Sequence, residues 1–158
     1  MPLIELTTII NAPARRCFDL ARSIDLHKIS TEGTHEEAIG GVTSGLIGMG
    51  QEVTWRAKHF GITQCLTSRI TVFEYPGYFR DEMVRGLFKK IEHDHRFEES
   101  GAVTTMKDGF EFESPGRIIG QLFNQLILEK YLRGLLEKRN NMIRDVAESE
   151  QWKTILNI

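Results

Sequence analysis

The stretch from Arg117 to Glu148 constrains the rest of this chain most. It reads as one helix of roughly thirty residues, about 45 Å long at ~1.5 Å per residue. Ser114-Pro115-Gly116 supplies a turn just before it, and no proline follows. Leu, Glu, Lys, Arg, Gln and Met dominate, all good helix formers. Apolar residues recur at Ile119, Leu122, Phe123, Leu126, Ile127, Leu132, Leu135, Leu136, Ile143 and Val146. They give a broad apolar face in the first half and a narrower one further on. The spacing is not a strict heptad, which argues against a coiled coil. A helix this long in a chain of 158 residues needs a large apolar surface to lie on.

The preceding sequence supplies that surface as strands. Leu3 to Ile10 is rich in β-branched residues and reads as the first. Asn11-Ala12-Pro13 ends it and opens a helix over Ala14 to Ala21. Ser23 caps a second short helix, Ile24 to Ile29, with Asp25 in its first turn. After a polar loop come six strands: Glu36 to Gly40, Gln51 to His59, Ile62 to Glu74, Tyr78 to Arg85, Lys90 to Glu99 and Ala102 to Glu113. Phe60-Gly61, Tyr75-Pro76-Gly77, the region of Gly86, and Ser100-Gly101 are the turns between the last five. Gly41, Gly45, Gly48 and Gly50 make the segment 41–50 read as a mobile loop, without the lysine and spacing of a phosphate-binding loop.

Consecutive hairpins make an antiparallel sheet with one face in need of cover. The expected fold is α+β: a curved seven-stranded antiparallel sheet wrapped around the long C-terminal helix, with two short helices between strands 1 and 2. Residues 1–149 form a single domain. Residues 150–158 form a tail whose Trp152, Ile155, Leu156 and Ile158 dock on a partner, dock on the chain's own body, or stay mobile.

Composition narrows the class. A net charge of −2 gives no electrostatic reason to expect nucleic acid. No apolar run is long enough for a membrane span, and the N-terminus lacks signal-peptide character. Cys17 and Cys65 show no metal or redox spacing, so a cytoplasmic protein with reduced thiols is expected.

Strand alternation assigns the face turned toward the helix. Pairing His59 with Ile62 sets Trp55 opposite Leu66 and Val53 opposite Ser68, and places His59, Gln64, Ile70 and Val72 on the same side. On the fifth strand Phe79, Asp81, Met83 and Arg85 alternate; on the sixth, Ile91, His93, His95 and Phe97; on the seventh, Met106, Asp108, Phe110 and Phe112. Turns centred near Leu87-Phe88 and at Ser100-Gly101 set Asp81 opposite His95, Met83 opposite His93, His93 beside Asp108 and His95 beside Met106. The inner wall is then apolar but carries Asp81, Arg85, His93, His95 and Asp108. Burying that many ionisable groups in a filled core is costly, and a cavity removes the cost.

Asp and His on neighbouring strands often only satisfy one another, so the cluster has a structural reading beside a chemical one. His93 and His95 with Asp81 or Asp108 could also hold a metal, but nothing in the spacing selects one. No metal and no cofactor are expected.

The layout resembles the helix-grip fold of the START / polyketide cyclase–dehydrase (SRPBCC) superfamily, from about Leu3 to Ser149. The resemblance rests on Ile10-Asn11-Ala12-Pro13 with Phe18 and Asp19, on Val53-Thr54-Trp55-Arg56, on Phe79-Arg80-Asp81-Glu82 and on His93-Asp94-His95-Arg96-Phe97. More narrowly it is to uncharacterised bacterial SRPBCC proteins. Such a resemblance implies a cavity between sheet and helix that takes a lipid, sterol, polyketide or similar hydrophobic molecule. No catalytic motif is shared across the superfamily, so no catalytic residue carries over.

The expected function is therefore binding of a hydrophobic or amphipathic small molecule in an internal cavity, by a monomer or homodimer. Trp55, Leu66, Phe79, Met83, Met106 and Phe110 would make the apolar contacts, with Leu122, Phe123 and Leu126 from the helix. Asp81, Arg85, His93, His95 and Asp108 would orient a polar end, with His59, Gln64 and Ser68 further away. The alternative is a cyclase/dehydratase-type enzyme using a His-carboxylate pair, with His93, His95, Asp81 and Asp108 as its candidates. The entrance is expected between the first turns of the long helix and the glycine-rich loop. The helix is expected to wall the space with 118–128 and to pack closely with 132–146.

Overall fold

The computed structural model describes residues 2–114 and 125–158. Along the chain lie β1 (Leu3–Ile10), α1 (Ala14–Ala21), α2 (Ile24–Ser30), a short 3-10 turn (Glu32–Thr34) and β2 (Glu37–Gly41). Then follow β3 (Glu52–His59), β4 (Ile62–Glu74), β5 (Tyr78–Arg85), β6 (Lys90–Ser100), β7 (Val103–Glu113), the long helix α3 (Gln125–Ala147) and α4 (Gln151–Ile155). The part of the expected helix before Gln125 lies outside the described residues. Among those residues, no helix is long and apolar enough to cross a membrane.

The fold is α+β. Seven antiparallel strands form one curved sheet in the order β1-β7-β6-β5-β4-β3-β2. Six are a meander, and β1 joins its far edge by pairing with β7, Ile4 opposite Phe110 and Ile10 opposite Thr104. Period-two burial follows the pleat: Val53, Trp55 and Ala57 on β3, and Ile91, His93, His95 and Phe97 on β6, are turned inward.

Hairpin counting and the observed ladders differ in instructive places. The β3–β4 ladder has Trp55 opposite Leu66, as the tight Phe60-Gly61 turn requires. In β5–β6 the partner of Asp81 is His93, and that of Phe79 is His95. In β6–β7 the partner of His95 is Asp108, and that of His93 is Phe110. Both ladders are two residues from the expected pairing. For β6–β7 the reason is that Ser100 pairs with Val103, so the turn is Gly101-Ala102, with Gly101 at a φ of 62°. A two-residue shift leaves every side chain on its expected face.

Bulges change faces where a shift does not. Ser68 pairs with Met83 but Thr67 pairs with Arg85, so Val84 is an extra residue on β5. Arg85 consequently leaves the inner row and is exposed, which corrects its expected place in the polar cluster. A second irregularity after Ile70 makes Thr71 the extra residue on β4, and Phe73 takes the inward place expected for Val72, opposite Phe79.

The core is packed at two ends. At one, Phe18 of α1 meets the rings of Phe73, Tyr75 and Phe79 edge-on at 5.2, 5.0 and 5.1 Å. Met106 and Ile143 are fully buried in this cluster. At the other, Ile4, Ile91, Phe112, Leu128 and Leu136 pack together. α1 has no side-chain cap of its own, and its Ala14 N–H donates instead to Glu99 Oε1 on β6 at 3.0 Å. The tail seats on the body: Trp152, Ile155 and Leu156 pack against the Phe18 cluster, and the Arg16 guanidinium lies 4.0 Å from the Trp152 ring centre.

The glycine-rich segment is anchored, contrary to the expectation of a mobile loop. Ile24 N–H donates to Gly45 O at 2.9 Å, Gly45 N–H to Asp25 Oδ2 at 2.9 Å, and Ile47 N–H to Arg22 O at 3.2 Å. Ile47 is buried. Glycines here let the backbone turn with positive φ while its donors and acceptors are met by α1 and α2.

Candidate functional site

Between the two packed ends lies a cavity with two adjoining lobes. The smaller, about 180 Å³, is bounded by Ser68, Ile70, Phe79, Asp81, Met83, His93 and His95 of the sheet, and by Ile24 and Ile47 at the α2 end. The larger, about 330 Å³, is bounded by Ala57, His59, Ile62 and Gln64 of the sheet and by Leu128, Tyr131, Leu132 and Leu135 of α3. Trp55, Leu66, Ile91, Phe110, Leu136 and Arg139 border both. The larger lobe reaches the surface at the β3–β4 and β5–β6 turns, where Phe60, Ile62 and Leu87 are exposed. The glycine-rich segment, one side of the expected entrance, lies at the other end of the cavity, where Ile47 lines the smaller lobe. The first turns of the helix, named with it, lie outside the described residues.

Ionisable groups form the floor of the smaller lobe. His93 Nε2 is 2.9 Å from Asp108 Oδ1, and His95 Nε2 is 2.8 Å from Asp81 Oδ2. The His95 ring stands between the two carboxylates, its Nδ1 3.3 Å from Asp108 Oδ1. The two imidazoles touch, with ring centres 3.7 Å apart. Behind them α3 supplies Arg139 and Asn140. Asn140 Nδ2 donates to Asp108 Oδ2 at 2.7 Å; Arg139 donates to Asn140 Oδ1 at 3.0 Å and to Ala21 O at 3.0 Å. The guanidinium lies 3.7 Å from Asp108 Oδ1 and 3.5 Å from His95 Nδ1.

Burial pulls these groups apart in charge state. Burial raises the Asp108 carboxyl, but bonds from His93 and His95 outweigh it and hold it well below the ordinary range. Asp81 follows the same pattern, with His95, His93 and Arg139 outweighing burial. His93 is pushed down to about 4, first by burial and then by the neighbouring His95. At neutral pH the floor therefore has ionised carboxylates and a neutral His93 that donates its Nε2–H to Asp108.

Other polar pairs flank the larger lobe. His27 Nε2 is 3.0 Å from Glu36 Oε1, with its ring 4.2 Å from that of Trp55. At the mouth His59 Nδ1 is 2.6 Å from the Tyr131 hydroxyl, joining β3 to α3.

Of the expected site residues, Trp55, Leu66, Ser68, Phe79, Asp81, Met83, His93, His95 and Phe110 face the space, and His59 and Gln64 line its outer lobe. Asp108 is one layer behind, against His93 and His95. Met106 is core packing and not cavity wall, because β7 at that point lies under α1 and the C-terminal part of α3. Leu126 is 75% exposed, on the outward side of α3. Leu122 and Phe123 lie outside the described residues. The wall role of α3 extends from Leu128 to Arg139, further than expected, and close packing begins at Asn140 and Ile143.

Arg139, Asn140, His27, Glu36 and Tyr131 were missed from sequence. For the first two a signal exists: they fall between Leu136 and Ile143, where the apolar stripe of the helix is interrupted. Asp81, His93 and His95 offer ligand atoms within 4.8 Å of one another, enough for a metal. The same atoms already serve as hydrogen-bond partners, and Arg139 beside them opposes a second cation.

Fold and cavity together define a helix-grip architecture, a curved antiparallel sheet closed over a long C-terminal helix. Solved structures share it. TTHA0849 from Thermus thermophilus superposes with a TM-score of 0.71 at 18% identity, covering 92% of this chain and 99% of that one. An aromatase/cyclase, Zhui, from Streptomyces sp. R1128 gives 0.68 at 15% identity, covering 93% of each. Ginseng major latex-like protein 151 from Panax ginseng gives 0.66 at 14% identity, covering 94% and 98%. At these identities the likeness is one of fold. No family model matches the sequence, and no curated protein matches it.

Proposed function

We propose that this protein binds a hydrophobic or amphipathic small molecule in the cavity between the sheet and α3. The observation that carries this reading is the join of an apolar lobe of about 330 Å³, open at one end, to a smaller lobe of about 180 Å³ with a polar floor. A folded core is normally packed without such voids, and apolar walls with a few convergent polar groups are the usual form of a ligand site. An aromatase/cyclase among the fold's members is compatible with an aromatic or polyketide-like occupant.

Native mass spectrometry of freshly purified protein tests this by looking for a retained small molecule, alongside titration with the neutral solvatochromic dye Nile red. Saturable dye binding that Phe110→Trp or Leu66→Trp abolishes supports the reading; no retained molecule and no saturable dye binding overturns it.

A second reading, a cyclase/dehydratase-type enzyme, is favoured by the two His-carboxylate pairs on the floor. His93 would act as general base through Nδ1, with Asp108 at its Nε2 fixing the tautomer. Its test is His93→Asn with a poly-β-keto thioester surrogate: turnover lost at unchanged dye affinity supports it, and turnover unaffected sinks it.

A further inference from the structure

We infer that the occupant presents a hydrogen-bond donor, a hydroxyl or an amine, to the Asp81 carboxylate at the cavity floor, and not a carboxylate or phosphate. This rests on the binding reading above and names the chemistry of its ligand.

The polar atoms that the protein has already satisfied decide which ones a ligand can use. The guanidinium groups at the floor already serve protein acceptors. Arg139 gives its N–H groups to Asn140 Oδ1 and Ala21 O and lies against Asp108. Arg22, the other guanidinium bordering the small lobe, bonds Asp19 Oδ1 at 2.9 Å and Ile47 O at 3.1 Å. His93 and His95 give their Nε2 protons to Asp108 and Asp81.

Acceptors are left over. Asp81 Oδ2 takes the His95 proton, while its Oδ1 makes no hydrogen bond among the described residues. Its side chain is 25% exposed although the histidines around it are buried, and the surface it exposes borders the cavity. With Nε2–H given to Asp108, the neutral His93 ring has only a lone pair at Nδ1, which also makes no hydrogen bond among these residues. Higher on the wall, Glu36 takes His27 with Oε1 alone. Fixed charge points the same way: Asp108 is matched by Arg139, and among the described residues no second buried cation faces Asp81. A ligand anion entering here would meet an ionised carboxylate, with both bordering guanidinium groups already engaged. A donor would complete the bonding of Asp81 in a water-poor site, where a bond to a charged group counts for more than a neutral one.

The experiment is displacement of bound Nile red at pH 7.5 by three ligands sharing one apolar body: 2-naphthylmethanol, 2-naphthylmethylamine and 2-naphthoic acid. The expected result is that the alcohol or the amine displaces the dye at a concentration at least about tenfold below that of the acid, the factor a charge-assisted hydrogen bond supplies. An alcohol ahead of the amine assigns a neutral donor, and the reverse order a cationic one. In Asp81→Asn the advantage over the acid is expected to shrink to within about threefold. The inference is overturned if the acid competes as well as the alcohol and the amine, or if the ranking is unchanged in Asp81→Asn shown to be folded by circular dichroism. Should that variant not fold, the wild-type ranking decides alone. Failure of Nile red to bind at all strikes the binding reading itself, a separate outcome from a wrong ranking.

Discussion

His95 Nε2 lies 2.8 Å from Asp81 Oδ2 although the two residues are not opposite one another in the β5–β6 ladder, where His95 faces Phe79 and Asp81 faces His93. The same diagonal relation joins His93 to Asp108, whose ladder partner is His95. Long side chains on one sheet face reach the diagonal neighbour easily. A row of directly opposed His and Asp residues thereby becomes two interlocked pairs, with His95 between both carboxylates. That interlocking, sealed from behind by Arg139 and Asn140, makes the floor one unit.

Arg139→Met should destabilise the protein by about 3–5 kcal/mol, because it leaves the Asp108 carboxylate buried with its charge unmatched. Urea unfolding measures this. Adding Asp108→Asn should recover a large part of the loss, a coupling of at least ~1 kcal/mol between two residues in contact.

Stability should fall as pH drops from about 6.5 to 4. His93 has a folded value of about 4 against 6.5 for the free side chain. Within that window the unfolded chain takes up a proton that the folded chain refuses, so the neutral ring's contribution is complete above the window and lost on descending through it. The size is on the order of 3 kcal/mol. Asp108 and Asp81, held below their ordinary value, extend the loss to lower pH. His93→Asn should flatten the upper part of the profile and leave the carboxylate part, read as urea midpoints across pH 8 to 4.

Leu66→Trp should lower Nile red affinity at least about tenfold, since Leu66 borders both lobes and a larger side chain there fills their junction. Thermal unfolding should move little by comparison, because the added atoms occupy existing space and do not crowd a packed core.

Gly41→Ala and Gly45→Ala should separate clearly although both glycines have positive φ, 68° and 73°. A Cβ on Gly41 would run into the Glu52 carbonyl, whereas one on Gly45 meets nothing within 4 Å. The first should cost more than about 3 kcal/mol and the second about 1–2 kcal/mol, the cost of the left-handed conformation alone. Chemical denaturation of the two variants side by side gives the comparison.

Local pattern made much of this molecule legible. Period-two alternation placed Trp55, Leu66, Asp81, His93 and His95 on one face, and the β3–β4 hairpin had to pair as it does because its turn is too short for another register. Where the pattern was interrupted, reading along one strand failed. The extra residue Val84 carries Arg85 out to solvent, and Thr71 exchanges Val72 for Phe73, because a bulge reverses the side-chain alternation beyond it. The composition of segment 41–50 signals chain freedom, yet its hydrogen bonds to α1 and α2 bind it down.

By itself the sequence determined that an antiparallel meander must cover a long helix, and that its inner face would carry more ionisable side chains than a filled core accepts. These follow from spacing, since periodicities of two and 3.6 residues settle which side chains share a face. The tertiary structure decided what that face does. It aligned Arg139 and Asn140 of α3 against Asp108, some thirty residues earlier in the chain. It set an anchored loop at one end of the cavity, and left the Asp81 carboxylate at the cavity's border. Contacts between elements distant in sequence, and the free volume those elements fail to fill, are set by how whole layers dock, and no local periodicity encodes that.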